Sequence, residues 1–234
     1  MAAGHLETAL RTLRDIERNN MLPQERAWEL HERMGQLLYW LADLPAALPH
    51  LRLAWELPRE NHGDRLAALS NYLMYLHYVD GVTDAMMHDA HAAYAQMLGT
   101  LPQFSHVPHC PEKLRIGYIS PDFREHAVSY FIPPLLRHFD GEHFMVFCYA
   151  LGRSDAVTER FRTRRVTWRD LRGRPPRTAA RLIAEDKIDI LVDLSGHSQD
   201  NALPIMAYRP APVQVSGIGY TNTTGLHTVD YFLS

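Results

Sequence analysis

The sequence predicts a doubly wound parallel α/β sheet preceded by an all-helical region, and three observations lead there. From His5 to about Leu101 apolar residues recur every three or four positions, the period of helices that bury one face. After Lys113 the pattern changes to short apolar runs, Leu114–Ser120, Phe144–Ala150 and Ile188–Leu194, separated by helical stretches near 129–138, 155–163 and 177–186. Near-continuous apolar strands alternating with helices make a parallel sheet covered on both faces. Between the two regimes, residues 102–112 hold three prolines and no periodicity, which reads as a linker. The expected organisation is a helical region over 1–101, a linker over 102–112 and an α/β domain over 113–234. A chain of 234 residues has room for two modest domains at ~150 residues or fewer each.

In the helical region, breaks at Leu22-Pro23, Asp43-Leu44-Pro45, Asn61-His62-Gly63 and Asp80-Gly81 divide the pattern into about five helices joined by short turns. Leu37, Leu38, Trp40 and Leu41 gather on the second helix and Ala47, Leu51, Ala54 and Trp55 on the third, as two antiparallel partners require. Aligning Ala54 with the late small residue of a tetratricopeptide repeat of about 34 residues puts Gly35 and Ala47 at the repeat's other small positions. The repeat's Trp and Pro are not matched, because His31 and Pro58 occupy the neighbouring slots. One degenerate repeat is expected, either flanking a peptide groove or capping the next domain. Met86, Met87, His88 and His91 share a helix face, but two imidazoles without a third nearby ligand fall short of a metal site.

In the α/β region, Val166–Trp168 reads as a weaker strand, and Val213–Ser216 and Val229–Leu233 extend the sheet. The last run stops at Ser234 with no covering helix after it, so the domain reads as truncated there. Ligands of open parallel sheets meet the carboxyl ends of the strands, which directs attention to the loops Ser120–His126, Ser195–Asp200 and Gly217–Gly225. None matches a GxGxxG fingerprint or a P-loop. His126 and His197 each follow a strand and precede a helix, where an imidazole either faces a ligand or bonds its own loop. Asp122 reads as bonding the amides of its Ser-Pro-Asp turn. Thr221, Asn222, Thr223, Thr224 and Gly225 present hydroxyls and amides suited to a sugar or phosphate, and the same string makes an ordinary turn. Residue types alone lead to a ligand site of open chemistry.

Composition narrows the classes. Hydrophobic residues at 46%, charged residues at 22% and a net charge of −3, with a pI near 6.5, describe a globular chain and disfavour a basic nucleic-acid binder. No apolar run approaches the ~18 residues of a membrane span, and the amino terminus lacks a signal pattern. No nucleic-acid or membrane partner and a cytoplasmic location are therefore expected. Cys110 and Cys148 are too few for a disulfide framework and too far apart for zinc spacing, so both read as structural thiols.

The segments Leu114–His126, Phe147–Ala150, Asp189–His197, Tyr208–Gln214, Gly219–Gly225 and Val229–Tyr231, in that order and separation, resemble the O-linked N-acetylglucosamine transferases of glycosyltransferase family 41. The resemblance is to the bacterial members in particular. The resemblance implies tetratricopeptide repeats that hold a protein acceptor, followed by a two-lobed GT-B region. This chain would supply the helices and the Rossmann-like first lobe. It further implies inverting transfer of N-acetylglucosamine from UDP-GlcNAc to serine or threonine hydroxyls, with no metal and no cofactor. His126 falls on the family's active-site histidine, with positioning or proton handling as its implied role. His197 stands in a Gly-His loop shared by bacterial relatives, where animal relatives have tyrosine, which implies binding. Tyr220, Thr221, Asn222, Thr223, Thr224 and Gly225 match the loop beside the donor sugar.

Departures from the family pattern bear on the site. Thr221 and Asn222 replace the commoner Pro-Gly pair, and Ser216 stands where many relatives place tryptophan. The second lobe, which in the family supplies most UDP contacts, has no counterpart here, so the isolated chain is expected to bind the donor weakly and to be inactive. The alternative expectation is a non-catalytic, tetratricopeptide-like protein-binding module or inactive relative.

Overall fold

A computed structural model describes residues 2–58, 61–107 and 110–233. The chain divides into two compact units, Met1–Met97 and Leu98–Ser234.

The first unit is built from α1 (Ala2–Arg18), α2 (Ala27–Trp40), α3 (Leu44–Glu56), α4 (His62–Leu76) and α5 (Asp84–Leu98). The breaks expected from sequence act through ordinary caps. Asp43 accepts the Ala46 amide at 3.3 Å ahead of α3, with Pro45 in its first turn, and Asn61 accepts the Gly63 amide at 2.9 Å at α4. The small positions on α2 and α3 bring these helices close. A Cβ on Gly35 would sit 2.6 Å from Leu51 Cγ, and Ala47 and Ala54 are fully buried. Leu10, Leu30, Met34, Leu37, Leu38 and Leu51 close the core around them. Trp40, expected inside the pair, is 55% exposed. The buried stripe runs through Leu30, Met34, Leu37 and Leu38 at helical spacing, and Trp40 lies off it on the final turn. On α5, His91 is buried with Nδ1 bonded to the Met87 carbonyl at 2.7 Å, while His88 is exposed and pairs with Asp89.

The second unit holds β1 (Leu114–Ser120), a short 3-10 turn (Ala127–Tyr130), α6 (Ile132–Arg137), β2 (Phe144–Ala150), α7 (Thr158–Phe161), β3 (Val166–Asp170), α8 (Pro176–Glu185), β4 (Ile190–Asp193), α9 (Leu203–Met206), β5 (Val213–Gly217) and β6 (Tyr231–Leu233). All six strands pair in parallel in the order β3-β2-β1-β4-β5-β6. Chain direction across the sheet reverses between β1 and β4, the switch point at which doubly wound folds hold their ligands. The last five residues of β2 are buried, as expected for a strand covered on both faces.

Two strands are shorter than their apolar runs. Asp189 leaves β4 because its carboxylate takes the Arg115 amide at 2.7 Å. Asp230 precedes β6 because its carboxylate takes Arg209 at 2.8 Å and the Gln214 amide at 2.9 Å. The proline-rich stretch is also tied down. Phe104 N–H donates to the Tyr208 carbonyl at 3.0 Å, and His106 Nε2 bonds the Arg209 carbonyl at 2.8 Å, so its described residues belong to the second unit. Cys148 is buried on β2 with its thiol pushed up to about 12 by burial, whereas Cys110 is exposed. No helix among the described residues is long and apolar enough to cross a membrane.

Candidate functional site

Three loops open at the carboxyl edge of β1, β4 and β5. In the β1 loop, Ser120 Oγ takes the Asp122 amide at 2.9 Å, which turns the Asp122 side chain back into the protein. That carboxylate is almost wholly buried and faces a guanidinium and an imidazole, with Arg124 Nη2 at 3.2 Å from Oδ1 and His126 Nδ1 at 3.6 Å from Oδ2. Burial raises the Asp122 pKa above the ordinary carboxylate value, while His126 and Arg124 pull it back and Asp200 pushes it up further. His126 begins the 3-10 turn, and its Nδ1 lies 3.3 Å from the Val128 amide. The loop after β2 braces this arrangement. Asp155 accepts the Glu125 amide at 2.7 Å, and Thr158 Oγ1 donates to the Phe123 carbonyl at 2.7 Å. The Glu125 and Thr158 amide bonds hold the Asp155 pKa below its ordinary value.

The β4 and β5 loops are locked to each other. Asp193, fully buried at the end of β4, accepts from Ser195 N–H at 3.1 Å, Ser195 Oγ at 2.7 Å, Gly196 N–H at 2.8 Å and Ser216 Oγ at 2.9 Å. Its pKa is raised because burial outweighs those four bonds. Gly196 adopts φ +51° and packs against the Tyr220 side chain, where any Cβ would collide. His197 has no exposed surface. Its Nε2–H donates to the Thr224 carbonyl at 3.0 Å, and its ring meets the Tyr220 ring edge-on at 5.3 Å. Gly219 lies against the Leu194 carbonyl and Val128, bringing the β5 loop beside the turn that His126 starts.

Beyond this contact an open cleft of about 370 Å³ is lined by Ser216, Thr221–Thr224 and the start of β6. Thr223 Oγ1 accepts the Gly225 amide at 3.1 Å and Thr224 Oγ1 the Leu226 amide at 3.3 Å. Each hydroxyl therefore retains its O–H for a further acceptor. Asn222 Oδ1 accepts the Thr223 amide at 2.7 Å. Gln214 and Arg209 secure the far side, with Gln214 Nε2 donating to the Met206 and Thr228 carbonyls at 2.9 and 2.7 Å.

A family model described as glycosyl transferase family 41 matches residues 90–234, more than half of the chain. The chain belongs to this family. Among relatives, it is 42% identical over 179 residues to the probable UDP-N-acetylglucosamine–peptide N-acetylglucosaminyltransferase SPINDLY of Solanum lycopersicum, covering 72% of this chain and 19% of that protein. It is 35% identical over 149 residues to the UDP-N-acetylglucosamine–peptide N-acetylglucosaminyltransferase of Caenorhabditis elegans, covering 60% of this chain and 13% of that one. A solved structure of a mutant Thermobaculum terrenum O-GlcNAc transferase superposes with a TM-score of 0.84 at 32% identity, over 97% of this chain and 43% of that one. The chain thus spans about a fifth of the length of its plant relatives and shares the helices-then-parallel-sheet architecture of a bacterial family member.

Of the residues singled out from sequence, His126 stands at the edge with its side chain 38% exposed, and Thr221, Asn222, Thr223 and Thr224 gather on the cleft. His197 and Tyr220 are placed differently. Both are buried and packed on each other, a position from which they hold the two loops together. Asp122, expected as a turn residue, also faces Arg124 and His126, and Asp155, Asp193 and Gln214 join the site from positions that no motif marks. Asp155 and Asp193 are acidic residues at or after the end of a strand, where a carboxylate can gather loop amides that the sheet leaves unpaired, whereas Gln214 lies near the start of β5 and donates to two carbonyls.

Proposed function

We propose that this chain forms the acceptor-side part of an inverting protein O-glycosyltransferase that moves N-acetylglucosamine from UDP-GlcNAc to serine or threonine hydroxyls. The observation that carries this reading is the pairing, at one sheet edge of a family 41 fold, of His126 over buried Asp122 with a hydroxyl-lined cleft on the β5 loop. Tetratricopeptide-like helices ahead of the sheet suit an extended peptide acceptor. The relatives' names describe peptide acceptors and a UDP-sugar donor.

In the reaction, the acceptor oxygen bonds to the anomeric carbon as the carbon–phosphate oxygen bond breaks and UDP departs. The hydroxyl proton must leave as the attack proceeds. His126 receives it on Nε2 when Nδ1–H points at Asp122, and the carboxylate then stabilises the imidazolium that forms. The 3.6 Å separation exceeds a hydrogen bond and closes when Nδ1 exchanges the Val128 amide for Asp122, a tightening common on substrate arrival. Thr223 and its neighbours offer hydroxyls and amides to the donor sugar. No metal or cofactor is assigned to this chemistry, and the chain on its own is proposed not to turn over, because contacts to the UDP group are assigned to the rest of the protein.

The test is sugar transfer to a peptide by the complete protein containing this chain. Replacing His126 with Ala is expected to lower transfer by about 10² to 10⁴-fold without lowering the melting temperature. Undiminished transfer overturns the assignment of His126, and transfer by the isolated 234-residue chain overturns its proposed dependence on the rest.

A further inference from the structure

We propose that Glu17, His31 and His50 form a binding site for a divalent cation of the zinc type, remote in sequence from the sugar-transfer loops. The three residues come from successive helices: Glu17 from the last turn of α1, His31 from α2 and His50 from α3. One ligand atom from each lies within 4.8 Å of the others. His31 Nδ1 and His50 Nδ1 face each other at 2.9 Å, with ring centroids 5.1 Å apart. Two ring nitrogens that close cannot both carry hydrogens pointing at each other. Either a single proton sits between them or a cation engages both lone pairs.

The geometry is close to what a cation needs. Around tetrahedral zinc, with Zn–N of about 2.0–2.1 Å, two ligand nitrogens stand about 3.3 Å apart. The pair therefore opens by only about 0.4 Å to admit the ion, a shift that side-chain rotation supplies. Both rings are half-buried while Glu17 is exposed, so the imidazoles are held in place and the carboxylate can swing in. Two imidazoles and one carboxylate suit zinc in preference to magnesium or calcium, which favour all-oxygen shells. Three protein ligands leave a fourth position for water. The competing positive charge is Arg14, one turn before Glu17 and felt by His50. It is exposed and free to turn to solvent. Separations of 14 and 19 positions hide the cluster from any short-motif reading, and the helix pairing assembles it. A cation held there would clip three helices of the tetratricopeptide-like unit together, leaving the transfer chemistry metal-free.

The test is titration of the full, tag-free chain with Co²⁺ after chelator treatment, followed by Zn²⁺ displacement. One equivalent of cobalt is expected, with the intense visible absorption of a four-coordinate site, bleached by zinc, and with a raised melting temperature. His31→Gln and His50→Gln should each weaken binding by about tenfold or more, and His88→Gln should leave it unchanged. Glu17→Gln lies on an exposed surface and keeps the fold, so its expected loss of affinity decides the matter if either histidine variant melts early by circular dichroism. Absence of stoichiometric cobalt binding, or binding undisturbed by Glu17→Gln, overturns the site and leaves a proton-sharing histidine pair.

Discussion

Replacing Asp193 by Asn probes how the candidate site is held. In the native protein Oδ1 accepts from Ser195 N–H and Oγ, and Oδ2 accepts from Gly196 N–H and Ser216 Oγ. Asn keeps one oxygen and sets an NH₂ group against the other pair of donors. The Ser216 hydroxyl can rotate to accept from it, but the Gly196 amide has no such freedom and is left facing another donor. One buried amide without a partner costs ~1–3 kcal/mol. Removing the buried charge itself offsets part of this, since desolvation opposes the charged form. The expected net loss is about 2 kcal/mol, read as a lower urea midpoint at unchanged slope. Faster hydrogen exchange at the Gly196 amide should accompany it. Asp193→Ala, which abandons both backbone amides, should lose more. An Asn variant as stable as the native chain, with Gly196 still protected, would refute the view that these bonds hold the β4 loop and, through Ser216, tie it to β5.

Gly196→Ala should lower thermal stability by about 2 kcal/mol or more, because a left-handed backbone disfavours any Cβ and this one runs into Tyr220. An unchanged melting temperature would show that the two loops are not in contact. Thr223→Val in the complete protein should raise the KM for the sugar donor several-fold, the effect of one hydrogen bond at ~1 kcal/mol, with the melting temperature unmoved; an unchanged KM removes Thr223 from the donor site. Burial lowers the His91 pKa below 6.5, so the unfolded chain binds more protons there than the folded one. The stability this neutral ring contributes is complete above about pH 6.5 and is lost as pH falls through the lower folded value. His91→Phe should flatten the acid dependence of unfolding below about pH 6.5, and an unaltered slope would place the titrating groups elsewhere.

The elements that sequence reveals are those in which one residue pattern serves one structural purpose. β2 reads clearly because its last five residues are buried and the run is continuous in apolar residues. The α2–α3 pair reads through Gly35, Ala47 and Ala54, where close approach demands small side chains. Strands are shorter than their apolar runs where an acidic residue bonds a neighbouring strand's amide or an arginine, as Asp189 and Asp230 do. Of the site, His126 and the Thr221–Thr224 string were visible because they sit in loops after strands. The Asp155–Glu125 and His31–His50 contacts join positions 30 and 19 apart, and only the packing of whole elements brings such groups together. His197 illustrates the converse. A histidine after a strand looks the same in sequence whether its ring faces outward or, as here, inward.

This difference between His126 and His197 bears on how the edge works. Four bonds to Asp193, the His197–Thr224 clip and the Tyr220 packing leave the β4 and β5 loops little freedom. Asp155 and Thr158 fix the backbone of the β1 loop on either side of Arg124. Within this frame the His126 ring is partly exposed, and its two polar neighbours, the Val128 amide and Asp122, lie at 3.3 and 3.6 Å, beyond the distance of a strong hydrogen bond. A group that must take up a proton and hand it on benefits from such loosely shared partners, because changing partners breaks little. In the proposed reaction the surrounding groups would keep a sugar and a hydroxyl aligned, and they benefit from the opposite, since preorganised surroundings need not rearrange as charge develops. The sheet edge therefore combines a tightly bonded frame with one loosely partnered imidazole, the division of labour that the proposed transfer requires.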